Sequence, residues 1–153
     1  MNKLNIISKD VCIYNEPQLI EISIGEQKIH TLYEGYVDLH QLIGWLIDNE
    51  PTIRKDRLPT ELTEQCFIAK KVAEFYESLD TENDELIDLM FEYRSSHCLR
   101  FGCRGTDFPE IYIGIIDNNY EVSLLSESDT WSYLFDIEDF YSRVKELGRE
   151  LGM

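Results

Sequence analysis

The chain has 153 residues and a net charge of −16, from 30 acidic residues against 14 basic ones, with 43% hydrophobic content. That length and apolar content suit one folded domain with a real core and exclude a disordered acidic tail. The charge argues against direct nucleic-acid binding and against a hold on an anionic membrane, since both need clustered Lys and Arg; it favours a cationic protein partner.

From the N-terminus, Leu4 to Ile7 and Val11 to Tyr14 are short apolar runs on either side of a turn at Ser8-Lys9-Asp10. The stretch MNKLNIISKDVCIYN holds no unbroken apolar run of signal-peptide type, and no segment is long and apolar enough to cross a bilayer. A cytoplasmic home is expected, with Cys12, Cys66, Cys98 and Cys103 as reduced thiols. Leu19 to Ile24 alternates, with Ile20, Ile22 and Ile24 on one side, and Lys28 to Tyr33 returns after Gly25-Glu26, which predicts a hairpin with one buried face.

Asp38 is placed to cap a helix carrying Leu39, Leu42, Ile43, Leu46 and Ile47 at helical spacing, ended by Asn49-Glu50-Pro51. Trp45 falls off that stripe and is expected to pack on a neighbouring element. Thr52 to Pro59 reads as a loop bearing Arg54, Lys55 and Arg57, a basic cluster suited to pairing with the chain's own acids. Thr60 is expected to cap a second helix, running to Leu79 through Leu62, Cys66, Ala69, Ala73 and Tyr76.

DTENDELIDLMFEYR, from Asp80 to Arg94, is the most one-signed stretch. Read at about 100° per residue, it places Leu86, Leu89, Met90 and Tyr93 on one face and Asp84, Glu85, Asp88 and Glu92 on the other. Such an acidic face is either a solvated surface or one that meets a cationic partner. This helix and the one before it are expected to pack antiparallel.

His97 to Arg104 is mixed: Leu99 and Phe101 fit a strand, with bends at Gly102 and Gly105. Glu110 to Ile116, a turn at Asp117-Asn118-Asn119, and Tyr120 to Leu125 predict a second hairpin. A polar loop with Glu127 and Asp129 follows, then a strand through Trp131, Tyr133 and Phe135. Asp136 caps a last helix with Ile137, Phe140, Tyr141, Val144, Leu147 and Leu151 as its apolar face. The order of elements predicts an α+β fold, with antiparallel hairpins packed against about four helices in a single domain.

No GxGxxG, P-loop or GxSxG occurs, and no carboxylate spacing of the DxDxDG kind singles out a metal site. His97, Cys98 and Cys103 lie close in sequence without the second ligand pair a zinc site needs. His30, His40 and His97 are expected to be structural or surface residues. Neither a catalytic residue nor a cofactor is assigned.

The hairpin EIYIGIIDNNYEVSLLS followed by WSYLFDIEDFYSRVKEL, spanning Glu110 to Leu147, resembles the closing segment of bacterial immunity proteins from polymorphic-toxin and contact-dependent growth inhibition systems. The resemblance implies a stoichiometric inhibitor of a cognate toxin, typically a nuclease with a basic groove that an acidic surface blocks. It points to Asp84, Glu85, Asp88 and Glu92 as partner-binding residues, with Glu127 and Asp129 as a second set. Tyr120, Trp131 and Tyr133 are candidate anchors that fit the core equally well. Two other classes share the acidic composition: a small enzyme with a site of dispersed carboxylates, and a DNA mimic acting on a host nucleic-acid enzyme.

Overall fold

The computed structural model describes residues 1–9, 16–59, 66–78 and 83–153. The expected segments at 11–14 and 60–65, with Cys12, Leu79, Asp80 and Glu82, lie outside the described residues.

Two antiparallel three-stranded sheets carry the fold. The first is β1 (Lys3–Ser8), β2 (Gln18–Gly25) and β3 (His30–Val37), with β2 central. Ile20, Ile22 and Ile24 are all buried, as the alternation requires. β3 starts later and runs further than its apolar pattern suggests, and Ile29 precedes it, exposed. The second sheet is β4 (Tyr112–Ile116), β5 (Asn119–Leu125) and β6 (Thr130–Phe135), in that order. Asp117 takes a positive φ of 52° in the tight turn between β4 and β5, a conformation that Asp tolerates better than most residues. The sheets adjoin at one corner, where the Asp136 amide donates to the Asn2 carbonyl at 2.9 Å.

The first helix, α1 (Leu39–Asp48), is capped by Asp38, whose side chain accepts from the Gln41 amide at 3.1 Å. The predicted loop after it is instead a second helix, α2 (Glu50–Lys55). Pro51 opens a helix there, because its missing N–H falls where no intrahelical partner exists. Arg54 does pair within the chain, reaching Glu50 at 2.7 Å and Glu138 at 2.6 Å. Trp45 is packed as expected: its indole N–H donates to the Ser95 carbonyl at 3.2 Å.

α3 (Ile68–Glu77) begins later than expected, with Cys66 and Phe67 outside it. α4 (Asp84–His97) follows. The expected antiparallel pair is not the main contact of either helix. α3 lies on β4 and β5, and α4 lies against β4 and α2, so both are organised by the sheet. The Leu99–Phe101 segment is a short 3₁₀ turn, Leu99–Gly102, and not a strand; Gly102 brings the chain against Trp45.

The last helix, α5 (Ile137–Glu150), is capped by Asp136, and its Tyr141 hydroxyl donates to the Leu46 carbonyl of α1 at 3.0 Å. The principal core is shared by both sheets, α1 and α5. A smaller core of Ile68, Ala69, Val72, Met90, Tyr93, Cys98 and Tyr112 fills the other face of the second sheet, under α3 and α4.

Candidate interaction surface on the acidic helix

α4 starts at Asp84 because the Asn83 side chain accepts from the Leu86 amide at 3.1 Å, satisfying one of the free amides at the helix start. Asp84 and Glu85 therefore sit in the first turn, where the helix dipole favours negative charge. Met90, Tyr93 and His97 are the side chains the helix buries. Asp84, Glu85, Asp88 and Glu92 are all exposed.

Leu89, expected on the buried face, is 45% exposed, and Phe91 is 55% exposed. At about 100° per residue, the carboxylates occupy the middle of the solvent-facing arc, with Phe91 on one margin and Leu89 on the other. The elements that α4 packs on chiefly are β4 and α2. Among the described residues, none of Asp84, Glu85, Asp88 and Glu92 forms an ion pair. The chain's paired acids are elsewhere, such as Glu21 and Glu34 with Lys9 and Glu110 with Arg94. Among the described residues, the acidic face is thus neither neutralised by ion pairs nor purely polar.

Glu127 and Asp129 are exposed but sit on the turn between β5 and β6, separate from α4. That turn is closed locally: the Ser126 hydroxyl donates to the Asp129 carbonyl at 2.7 Å and accepts from its amide at 3.0 Å. Tyr120, Trp131 and Tyr133 are half-buried and pack against the principal core. The Tyr120 hydroxyl is committed to the Arg54 carbonyl at 2.7 Å, which ties β5 to α2.

Beneath the helices lies a polar group that the sequence did not single out. Glu121 is 4% exposed, and its carboxylate accepts from the Ile68 amide at 2.8 Å; Ser123, two residues along the same face, accepts from the Ala69 amide at 3.1 Å. Phe67, at the cap position of α3, offers no side-chain acceptor, so β5 caps α3 from across the fold. Burial raises the Glu121 pKa, and the Ile68 amide and Ser123 hold part of that shift back. A polar pair at i,i+2 within an otherwise apolar strand is the only sequence signal of this arrangement.

His97 is fully buried and stacked on Tyr93, with ring centroids 3.8 Å apart. Its Nδ1 lies 2.9 Å from the Tyr93 carbonyl. Burial lowers its pKa, and the Tyr93 carbonyl and the Asp56 charge offset part of the shift. Burial likewise pushes the thiols of Cys98 and Cys103 up, to about 11 and about 12, so both are inert thiols at neutral pH. Among the described residues, no three His, Cys, Asp or Glu side chains come together as a metal ion would require, and no helix is long and apolar enough to cross a membrane. Comparison with family models, with curated proteins and with solved structures gives no match.

Proposed function

We propose that this chain is an immunity protein that binds and neutralises a cationic toxin domain, a nuclease, in the bacterial cytoplasm. One observation carries the reading. Exposed carboxylates that form no ion pair among the described residues share a helix face with two exposed large apolar side chains. Charge alone speeds encounter and sets orientation; tight protein association also needs desolvated apolar anchors inside a polar rim. In this reading, Asp84, Glu85, Asp88 and Glu92 take the positions that substrate phosphates occupy in the toxin's groove. Toxin Arg and Lys side chains then donate charge-assisted hydrogen bonds to them. Leu89 and Phe91 supply the anchors, a role first expected of Tyr120, Trp131 and Tyr133.

The test is titration of the purified chain with the C-terminal domain of the protein encoded immediately upstream, as the candidate toxin, with nuclease activity followed in parallel. The reading requires a one-to-one complex and loss of nuclease activity. It is wrong if that toxin is neutralised equally well by a chain whose α4 face carries Asn, Gln and Ser in place of the acids and of Leu89 and Phe91.

A further inference from the structure

A second surface has the opposite sign. Arg94, Arg100 and Arg104 line one open pocket of about 460 Å³, together with Phe101, Cys103, Gly105, Thr106 and Glu110. That volume falls within the range of small-molecule sites. Three of the chain's 14 basic residues converge there, in a molecule whose net charge is −16.

The arginines are not equivalent. Arg94 is built in: its Nε donates to the Tyr112 hydroxyl at 3.1 Å and its Nη2 to Glu110 at 2.8 Å, and its guanidinium lies over the rings of Tyr76 and Phe101. Among the described residues, Glu110 is the one carboxylate on the wall, and Arg94 already engages it. Arg100 and Arg104 are exposed and, among the described residues, have no ion pair. Gly105, at φ +83°, has open space where a side chain would stand, so the pocket wall is low on that side. The Phe101 ring, half-buried, is held edge-on by Phe91 at 6.2 Å.

We propose that this pocket binds a small molecule carrying a phosphate monoester on a planar ring. Two uncommitted guanidiniums match the three terminal oxygens of a phosphate, whereas a single carboxylate is satisfied by one. The surrounding negative field repels anions, so the bound group needs more than one arginine to offset that cost. The half-buried Phe101 ring gives a ligand ring something to lie on, and Arg94 holds it in place from within the wall. The site does not depend on the toxin reading, although Phe91 places it beside one margin of the acidic face.

Calorimetric titration of the full chain at low ionic strength tests this with phenyl phosphate, inorganic phosphate and benzoate as probes. Phenyl phosphate is expected to bind, with inorganic phosphate and benzoate each weaker by about tenfold or more. Arg100→Gln with Arg104→Gln is expected to weaken phenyl phosphate by about tenfold or more, with the circular dichroism spectrum unchanged. Phe101→Ala should bring phenyl phosphate down to the level of inorganic phosphate. No heat from either phosphate at millimolar concentration overturns the proposal. So does benzoate binding as tightly as phenyl phosphate, or a folded Arg100→Gln/Arg104→Gln variant that keeps full affinity.

Discussion

Replacing Glu121 tests the reasoning about the buried polar pair most sharply, because two substitutions at one site are expected to act in opposite directions. In Glu121→Ala the Ile68 amide, on a fully buried residue, loses the acceptor it now meets at 2.8 Å. A buried N–H left without a partner costs about 1–3 kcal/mol, and nothing in Ala restores it. Glu121→Gln keeps an oxygen for that amide and removes the ionisable group. The wild-type carboxyl has its folded pKa raised above 4.5 by burial, so the folded state holds the proton more tightly than the unfolded chain does. Its contribution to stability therefore falls as pH rises through the interval from 4.5 to the raised value, and the penalty is fully present above it. The Gln variant should thus equal or exceed the wild type at pH 7, and that advantage should vanish as pH falls below the ordinary Glu range. Urea denaturation of wild type, Ala and Gln forms at both pH values measures this, with the slope m checked for constancy. An Ala variant as stable as wild type, or a Gln variant as weak as Ala, refutes the capping role.

Other substitutions probe the same framework. Gly114→Ala would place a Cβ 2.8 Å from the Tyr93 hydroxyl and 3.1 Å from the His97 ring, inside a stacked and buried pair, and should cost about 1–3 kcal/mol in denaturant titration. Tyr120→Phe removes the bond to the Arg54 carbonyl and should cost about 1 kcal/mol of stability while leaving partner affinity unchanged; the reverse pattern would restore Tyr120 as an anchor. Arg54→Met strips one cation from Glu50, whose pKa is held below 4.5 because bonds from Lys145 and Arg54 outweigh burial. The stability that variant loses at pH 7 should shrink as pH falls below 4.5 through the depressed Glu50 value, where the wild type loses the same contribution.

The strands and the two Asp-capped helices were legible because their causes are local. Ile20, Ile22 and Ile24 alternate over a few residues, and Asp38 and Asp136 each cap amides three positions on. Most of what escaped the sequence has non-local causes. The cap of α3 comes from Glu121 and Ser123, 53 and 54 residues away from the amides they accept. α2 was hidden because Pro51 punctuates one helix and opens the next. The candidate site was half legible: periodicity placed its four carboxylates on one face, but the width of the buried face depends on what the helix packs against. α4 packs chiefly on β4 and α2 and leaves Leu89 and Phe91 exposed, and no pattern in Asp80 to Arg94 distinguishes that from a broader contact. The arginine pocket was invisible for a similar reason, since the 3₁₀ turn sets the neighbours Arg100 and Phe101 on one pocket wall, where a strand would have sent them to opposite faces.

The central claim is that the acidic face of α4 is a partner surface and not merely a solvated one. It is tested by the affinity of the chain for the C-terminal domain of whatever protein is encoded immediately upstream, the candidate toxin of the proposed function, in wild type and in Asp84→Asn/Glu85→Gln/Asp88→Asn/Glu92→Gln, at low and at high salt. The account predicts that the four substitutions weaken binding by about tenfold or more at low salt, chiefly through slower association, and that the gap narrows at high salt. Equal affinity of the two chains at low salt, with both folded, would contradict it.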